Sequence, residues 1–355
     1  MNRTEKLQTL LRENDLDAIL LRDDKNRRWH SGTNYDDGTA LITRDAAYCY
    51  VDSRCYEVME KNVHHAQVVL TSVENPLKKY LKLHLESCGA KRLGFEEDYL
   101  CWKDYKLFEE ISGCRMVPAA KIMTQLRSAK DESELDCIKK AQAITEAVFD
   151  EMLSFIKPGM RECEIAAEIT YRQMKKGASG NSFPPIVVTG AKSSMPHGEP
   201  GNDEIKPGDF VTMDFGCIYE GYCSDMTRTV AIGHATDEMK NVYSVVLEAQ
   251  LKGIAAARAG IAGCEIDNAA REVIAAAGYG EYFGHSFGHS LGLNIHEGPN
   301  ASPTEKRIMP VGAVISAEPG IYLPGKFGVR IEDILYLEEN GCINLTKSPK
   351  NLIIL

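Results

Sequence analysis

Five short segments after residue 210 each set an acid or a histidine inside a run of apolar or small residues. They are Val211-Thr-Met-Asp-Phe-Gly216, Cys223-Ser-Asp-Met-Thr-Arg-Thr229, Phe287-Gly-His-Ser-Leu-Gly292, Ala313-Val-Ile-Ser-Ala-Glu-Pro-Gly320 and Val329-Arg-Ile-Glu-Asp333. A carboxylate in a strand that otherwise reads as buried is expensive unless a cation or dense hydrogen bonding compensates it. One such residue is usually a satisfied structural acid, but five together are hard to explain that way. Tyr219-Glu-Gly-Tyr222 reads as a reversal between two β-prone runs, which places Asp214 and Asp225 on antiparallel neighbours. With a two-residue turn at Glu220 and Gly221, Asp214 sits opposite Thr227 and diagonal to Asp225; with the turn one residue earlier, it sits directly opposite Asp225. Both registers put the carboxylates on one face. A divalent metal is the simplest answer to their repulsion, against the alternative of one ionised and one protonated acid.

His197, His285, His289 and His296 lie in Gly/Pro/Ser-rich turns rather than on helical faces, which favours function over packing. In Arg330-Ile-Glu332 the period of two puts guanidinium and carboxylate on one face, with Asp333 pointing away, so Arg330 is expected to orient a bridging carboxylate. Glu318 precedes Pro319, which ends its strand. The donors Asp, Asp, His, Glu and Glu form a hard set that suits two Mn(II), Co(II), Fe(II) or Zn(II) ions, and the lack of thiolates argues against structural zinc. Cys217 and Cys223 lie near this chemistry, and the reading preferred for both is that of small buried hydrophobes. Two such metals, about 3.5–4 Å apart, generate a nucleophile from water. The residues alone therefore read as a dinuclear metallohydrolase and leave the substrate open.

At 355 residues the chain exceeds one ordinary domain. Its first third alternates short β-rich runs with amphipathic helical ones, an α/β pattern, and no phosphate-cradling glycine loop follows any of its strands. A stretch at 125–131 reads as a boundary, giving domains 1–127 and 128–355. Beyond it a helix is expected over 132–156, with Ser133 and Asp136 as a weak cap, then helices at 162–176, 237–259 and 265–277 among long strands, an α+β pattern. Trp29, His30, Asp36 and Asp37 read as a surface loop. The net charge of −10 has the wrong sign for nucleic acid or an anionic membrane, and the excess acid lies wholly in the second part: 20 basic and 20 acidic residues precede Ser128, 21 and 31 follow. There is no export signal and no membrane-length apolar run, and the 11 cysteines are odd in number with no Cys-x-x-Cys pair, so a cytoplasmic protein with reduced thiols is expected.

The ordered set MDFG, SDMTRT, GHSLGLNIHE, EPGIY and VRIED, preceded by SSMPHGEP, resembles the pita-bread metallopeptidases of the aminopeptidase P and prolidase branch, and the first third resembles their creatinase-type N-terminal domain. The resemblance implies a pita-bread catalytic domain in which Asp225 and Glu332 bridge two metals, Mn(II) by preference, Asp214 completes one site, and His289 and Glu318 the other. It implies Glu318 as acid/base, His296 as the group that stabilises the tetrahedral intermediate and passes a proton to the leaving nitrogen, and His197 as a contact to the scissile carbonyl or the substrate end. His285 would line the proline-side pocket and Arg330 support the ligands. The implied reaction is removal of the N-terminal residue from short peptides with proline second, by a homodimer; the alternatives are an Xaa-Pro dipeptidase, a creatinase-like amidinohydrolase and a non-catalytic binding protein.

Overall fold

The computed structural model describes residues 2–35 and 37–355; of the four positions read as a surface loop, Asp36 lies outside them. The chain forms two compact units that divide between Arg127 and Ser128.

The first unit is built on a mixed six-stranded sheet in the order Gln67–Leu70, Ala47–Val51, Thr39–Thr43, Ala18–Leu21, Arg92–Phe95, Arg115–Pro118. A hairpin turning at Arg44 and Asp45 pairs Thr39–Thr43 with Ala47–Val51. Leu20, Leu41, Leu93 and Phe108 anchor the core between sheet and helices. The expected loop around Trp29 and His30 is instead a helix, Asp24–Ser31, with both side chains buried. Asp23 caps its N-terminus by accepting from Asn26 N, and Gly32 closes it in the left-handed conformation. The polar composition of this segment, Asp-Asp-Lys-Asn-Arg-Arg, hid a helix that buries its last turn.

In the second unit, helices Glu132–Phe155 and Glu162–Lys175 pack on the antiparallel sheet Ile186–Thr189, Phe210–Phe215, Met226–Ala231. Helices Asp237–Ala256 and Gly263–Ala276 pack against a second sheet that contains Gly288–Ser290, Val314–Ala317 and Asp333–Glu338. Helix Glu132–Phe155 is capped by Asp131, in a capping box with Glu134, and not by Ser133 with Asp136; Ser133 only donates to Asp131. Val211, Met213 and Phe215 point into the helix-packed core, which leaves Thr212 and Asp214 on the opposite face. Both faces of this strand are buried, which leaves Asp214 little access to water. No helix among the described residues is long and apolar enough to cross a membrane.

Candidate metal centre

The turn between the first two acids has Glu220 at φ 46° and Gly221 at φ 80°, the two-residue hairpin geometry that positive φ at both positions allows. Tyr219 pairs with Tyr222, and Asp214 falls opposite Thr227, the first of the two registers anticipated. Asp225 lies just before the strand Met226–Ala231. His289 is carried by Gly288–Ser290, which runs so close to Val314–Ala317 that a Cβ at Gly288 would sit 1.9 Å from the Ser316 carbonyl oxygen. Glu318 follows the end of that neighbouring strand, and Glu332 sits in the break between Phe327–Arg330 and Asp333–Glu338.

These segments bring Asp214, Asp225, His289, Glu318 and Glu332 to the wall of one chamber of 440 Å³, together with His197, His285, His296 and Arg330. His289 Nε2 lies 3.5 Å from Asp225 Oδ2 and 3.4 Å from Glu318 Oε1, and ligand atoms of Asp225, His289 and Glu332 fall within 4.8 Å of one another. Cys217 and Cys223 stand apart from this group: their thiols point to the carbonyls of Ala141 and Leu293.

Three hydroxyls that the sequence did not single out hold the acids in place. Thr227 Oγ1 donates to Glu332 Oε2 at 2.8 Å and accepts from Arg330 Nε at 3.0 Å. Ser316 Oγ accepts from the His289 backbone N–H and donates to Glu318 Oε1 at 2.9 Å. Tyr322 Oη accepts from Arg330 Nη1 and donates to His285 Nε2, both at 2.8 Å, because His285 Nδ1 gives its proton to the Ser286 carbonyl. Thr227 and Tyr322 do stand inside the SDMTRT and EPGIY segments, but hydroxyls in strands are too common to carry a signal alone. Arg330, expected to orient a bridging carboxylate, reaches Glu332 through Thr227 and also grips Asp214 directly. Asp333, on the other face, is held by Arg228 and Lys350.

The donor chemistry fits a cation. Asp214 Oδ1, Asp225 Oδ1 and Glu332 Oε1 are buried and accept no hydrogen bond. His289 donates its Nδ1 proton to the Ser290 carbonyl, which leaves the Nε2 lone pair facing two carboxylates. Carboxylate oxygens and a bare imidazole nitrogen converging without protons between them are a ligand set for a divalent metal.

In the metal-free protein, burial, then the charges of Asp214 and Glu318, push the Asp225 carboxyl well above its usual range; burial and the neighbouring acids do the same to Glu332. Burial raises Asp214 despite Arg330. Burial also works upward on Glu318, but His289, His285 and Arg330 outweigh it and leave that carboxyl low. Burial lowers His285, and enclosure followed by the neighbouring His289 lowers His296, so both imidazoles are neutral near pH 7.

The stabilisation conferred by metal should therefore grow with pH. Without metal, the folded chain holds the Asp225 and Glu332 protons more tightly than the unfolded chain, so these two groups make it less stable as pH rises from the ordinary carboxyl range toward their raised values. Metal requires the deprotonated forms, so affinity rises over the same interval. Melting temperatures of metal-loaded and chelator-stripped protein, compared from about pH 5.5 to 8, are expected to diverge as pH increases. A constant or narrowing gap would count against these acids as ligands.

The family described as metallopeptidase family M24 matches residues 136–339, and the creatinase/prolidase N-terminal domain matches residues 3–129. An uncharacterized peptidase of Bacillus subtilis is 39% identical over 99% of both chains, and the Xaa-Pro dipeptidase of Pyrococcus furiosus is 35% identical over 99% of both. Among solved structures, an Xaa-Pro dipeptidase from Bacillus anthracis superposes with a TM-score of 0.96 at 39% identity, covering 99% of each chain. An X-Pro aminopeptidase from Thermotoga maritima does so with 0.92 at 36%, covering 96% of this chain and 98% of that one.

Proposed function

We propose, because the chain belongs to metallopeptidase family M24, that it hydrolyses the amide bond preceding proline in small peptides, with Asp214, Asp225, His289, Glu318 and Glu332 holding two divalent cations. The observation that carries this reading is the clustering of ligand atoms of Asp225, His289 and Glu332 within 4.8 Å of one another on the wall of a peptide-sized chamber, where Asp214, Asp225 and Glu332 each keep one oxygen without a hydrogen bond. Relatives named as Xaa-Pro dipeptidases and aminopeptidases, similar over nearly their whole length, support the bond type. Bound divalent metal supplies Lewis acidity and lowers the pKa of water to near neutrality.

The chain's own groups supply the rest. Glu318, low in pKa and fixed by Ser316, is ionised near neutral pH and takes the proton of the attacking water. That proton must reach the proline nitrogen, a tertiary amide nitrogen with no N–H of its own, before it can leave. His296, 4.5 Å from His289 between ring centroids and exposed toward the chamber mouth, is placed to pass it on. His197, also exposed on the chamber wall, contacts the scissile carbonyl. His285, locked by Tyr322 and Ser286, presents a fixed ring face on the proline side, where Phe183, Pro184 and Pro185 add apolar wall. Arg330 positions Asp214.

The test is an assay of metal-reconstituted enzyme on Ala-Pro, Ala-Pro-Ala and Ala-Ala-Ala. At least one proline peptide is expected to exceed Ala-Ala-Ala in kcat/KM by about 100-fold, the discrimination a shaped apolar pocket achieves. Equal rates on Ala-Ala-Ala would sink the Xaa-Pro assignment while leaving a metallopeptidase.

A further inference from the structure

We propose that Asp267 and Arg271, which do not line the chamber, are a positioning pair: together they fix the segment that carries His285 and so set the preference for proline. The inference rests on the Xaa-Pro reading and adds to it the residues that hold the proline side in shape.

A helix prescribes the pair. In Gly263–Ala276, Ile266, Ala270 and Ile274 form the stripe that enters the core, and Asp267 and Arg271 each stand one position further round, four residues apart on one face. The Asp267 side chain is fully buried there, while Arg271 keeps 27% of its side chain exposed. Arg271 Nε and Nη2 donate to the two carboxylate oxygens at 2.7 and 3.0 Å, a bidentate pairing that fixes the plane of the guanidinium.

The remaining hydrogen-bonding capacity of both groups goes to residues 283–287. Nη1 donates to Phe283 O at 2.9 Å and Nη2 to His285 O at 2.7 Å, and Asp267 Oδ1 accepts from Phe287 N at 2.8 Å. The guanidinium also lies 4.2 Å from the centroid of the Phe283 ring, which meets the His285 ring edge-on with centroids 5.1 Å apart. This segment needs such anchors because it is neither helix nor strand, and among the described residues no backbone-to-backbone hydrogen bond holds 284–286. Tyr322 and Ser286 fix the His285 ring; Asp267 and Arg271 fix the backbone from which that ring projects. A wall displaced by about 1 Å fits a pyrrolidine ring poorly and matters little to a small side chain. The metal ligands keep their own supports in Ser316, Thr227 and Arg330.

The experiment compares metal-loaded wild type with Arg271→Lys and with the double variant Asp267→Asn, Arg271→Met on two length-matched pairs, Ala-Pro against Ala-Ala and Ala-Pro-Ala against Ala-Ala-Ala. Arg271→Lys keeps a cation beside Asp267 but lacks the fork that reaches both carbonyls. The double variant leaves no buried charge unpaired and keeps an amide oxygen for Phe287 N, so the two preserve the fold by different routes. In both, kcat/KM on the proline peptide is expected to fall about tenfold, the low end of what a shaped apolar pocket discriminates, and on the alanine peptide to stay within about twofold. Equal loss on both peptides, as a merely structural pair would give, or an unchanged preference overturns the proposal. A second readout needs no substrate: the imidazole N–H resonance of His285, identified by its loss in His285→Gln, is expected to shift or broaden in both variants, and an unmoved resonance overturns the positioning role. If wild type cleaves the alanine peptides as fast as the proline ones, the Xaa-Pro reading falls and the selectivity with it, while the His285 resonance still decides whether the pair positions that ring.

Discussion

Asp225→Asn should lower kcat/KM toward a proline peptide by on the order of 10³-fold, equivalent to about 4 kcal/mol of transition-state stabilisation, while the far-UV circular dichroism is unchanged. The substitution keeps the shape of the side chain and deletes its charge. Asp225 is only 4% exposed, its Oδ1 accepts nothing, and its Oδ2 faces His289, so no water or neighbouring donor can take over the role of a ligand oxygen. A purely structural acid would show itself differently. In the metal-free chain Asp225 is repelled by Asp214 and Glu318, and the amide relieves that repulsion, so the stripped variant should melt above stripped wild type. With metal present the order should reverse, because the variant forfeits binding energy that the wild type converts into stability. Crossing of the two melting temperatures on adding metal identifies a ligand. A variant that melts lower than wild type in both states, or that keeps its activity, would show that Asp225 serves packing instead.

How far the chain could be read before its fold was known depended on how local the signal was. Asp214 and Asp225 declared themselves because a carboxylate within Val-Thr-Met-Asp-Phe violates the apolar pattern of its own strand, and the Glu-Gly reversal limited their pairing to two registers. Where the deciding partner is distant, the sequence carries no local sign of it. Arg330 reaches Glu332 through Thr227, as its strand position suggests, but the direct grip of its guanidinium on Asp214, 116 positions away, has no local signal. Likewise Trp29 and His30 look exposed in a charged run, and only the packing of the rest of the first unit buries them. Ser133 looked like a cap because Ser is favoured there; Asp131, two residues earlier, wins with a carboxylate that accepts from Glu134 N while Glu134 answers at Asp131 N.

Removing the guanidinium is the most damaging single change expected for stability. Arg330→Met keeps most of the apolar volume but should cost about 3–5 kcal/mol, the usual consequence of leaving one member of a buried ion pair without its partner. Arg330 is 3% exposed, and its loss strips a donor at once from Asp214 Oδ2, Thr227 Oγ1, Tyr322 Oη and the Pro196 carbonyl. Tyr322 and Thr227 in turn orient His285 and Glu332, so the damage reaches both the proline side of the chamber and a metal ligand. Arg330→Lys should recover only part of the loss, since a single ammonium cannot span the partners that the planar fork reaches together. Urea unfolding of metal-free protein followed by far-UV circular dichroism reads the effect. Tryptophan fluorescence is a built-in comparison, because Trp29 and Trp102 are the only tryptophans and both precede Arg127. The fluorescence transition is expected to move less than the dichroic one. If Arg330→Met unfolds within about 1 kcal/mol of wild type, then Asp214 is neutralised by its own proton and the guanidinium is not what keeps this acid in the interior.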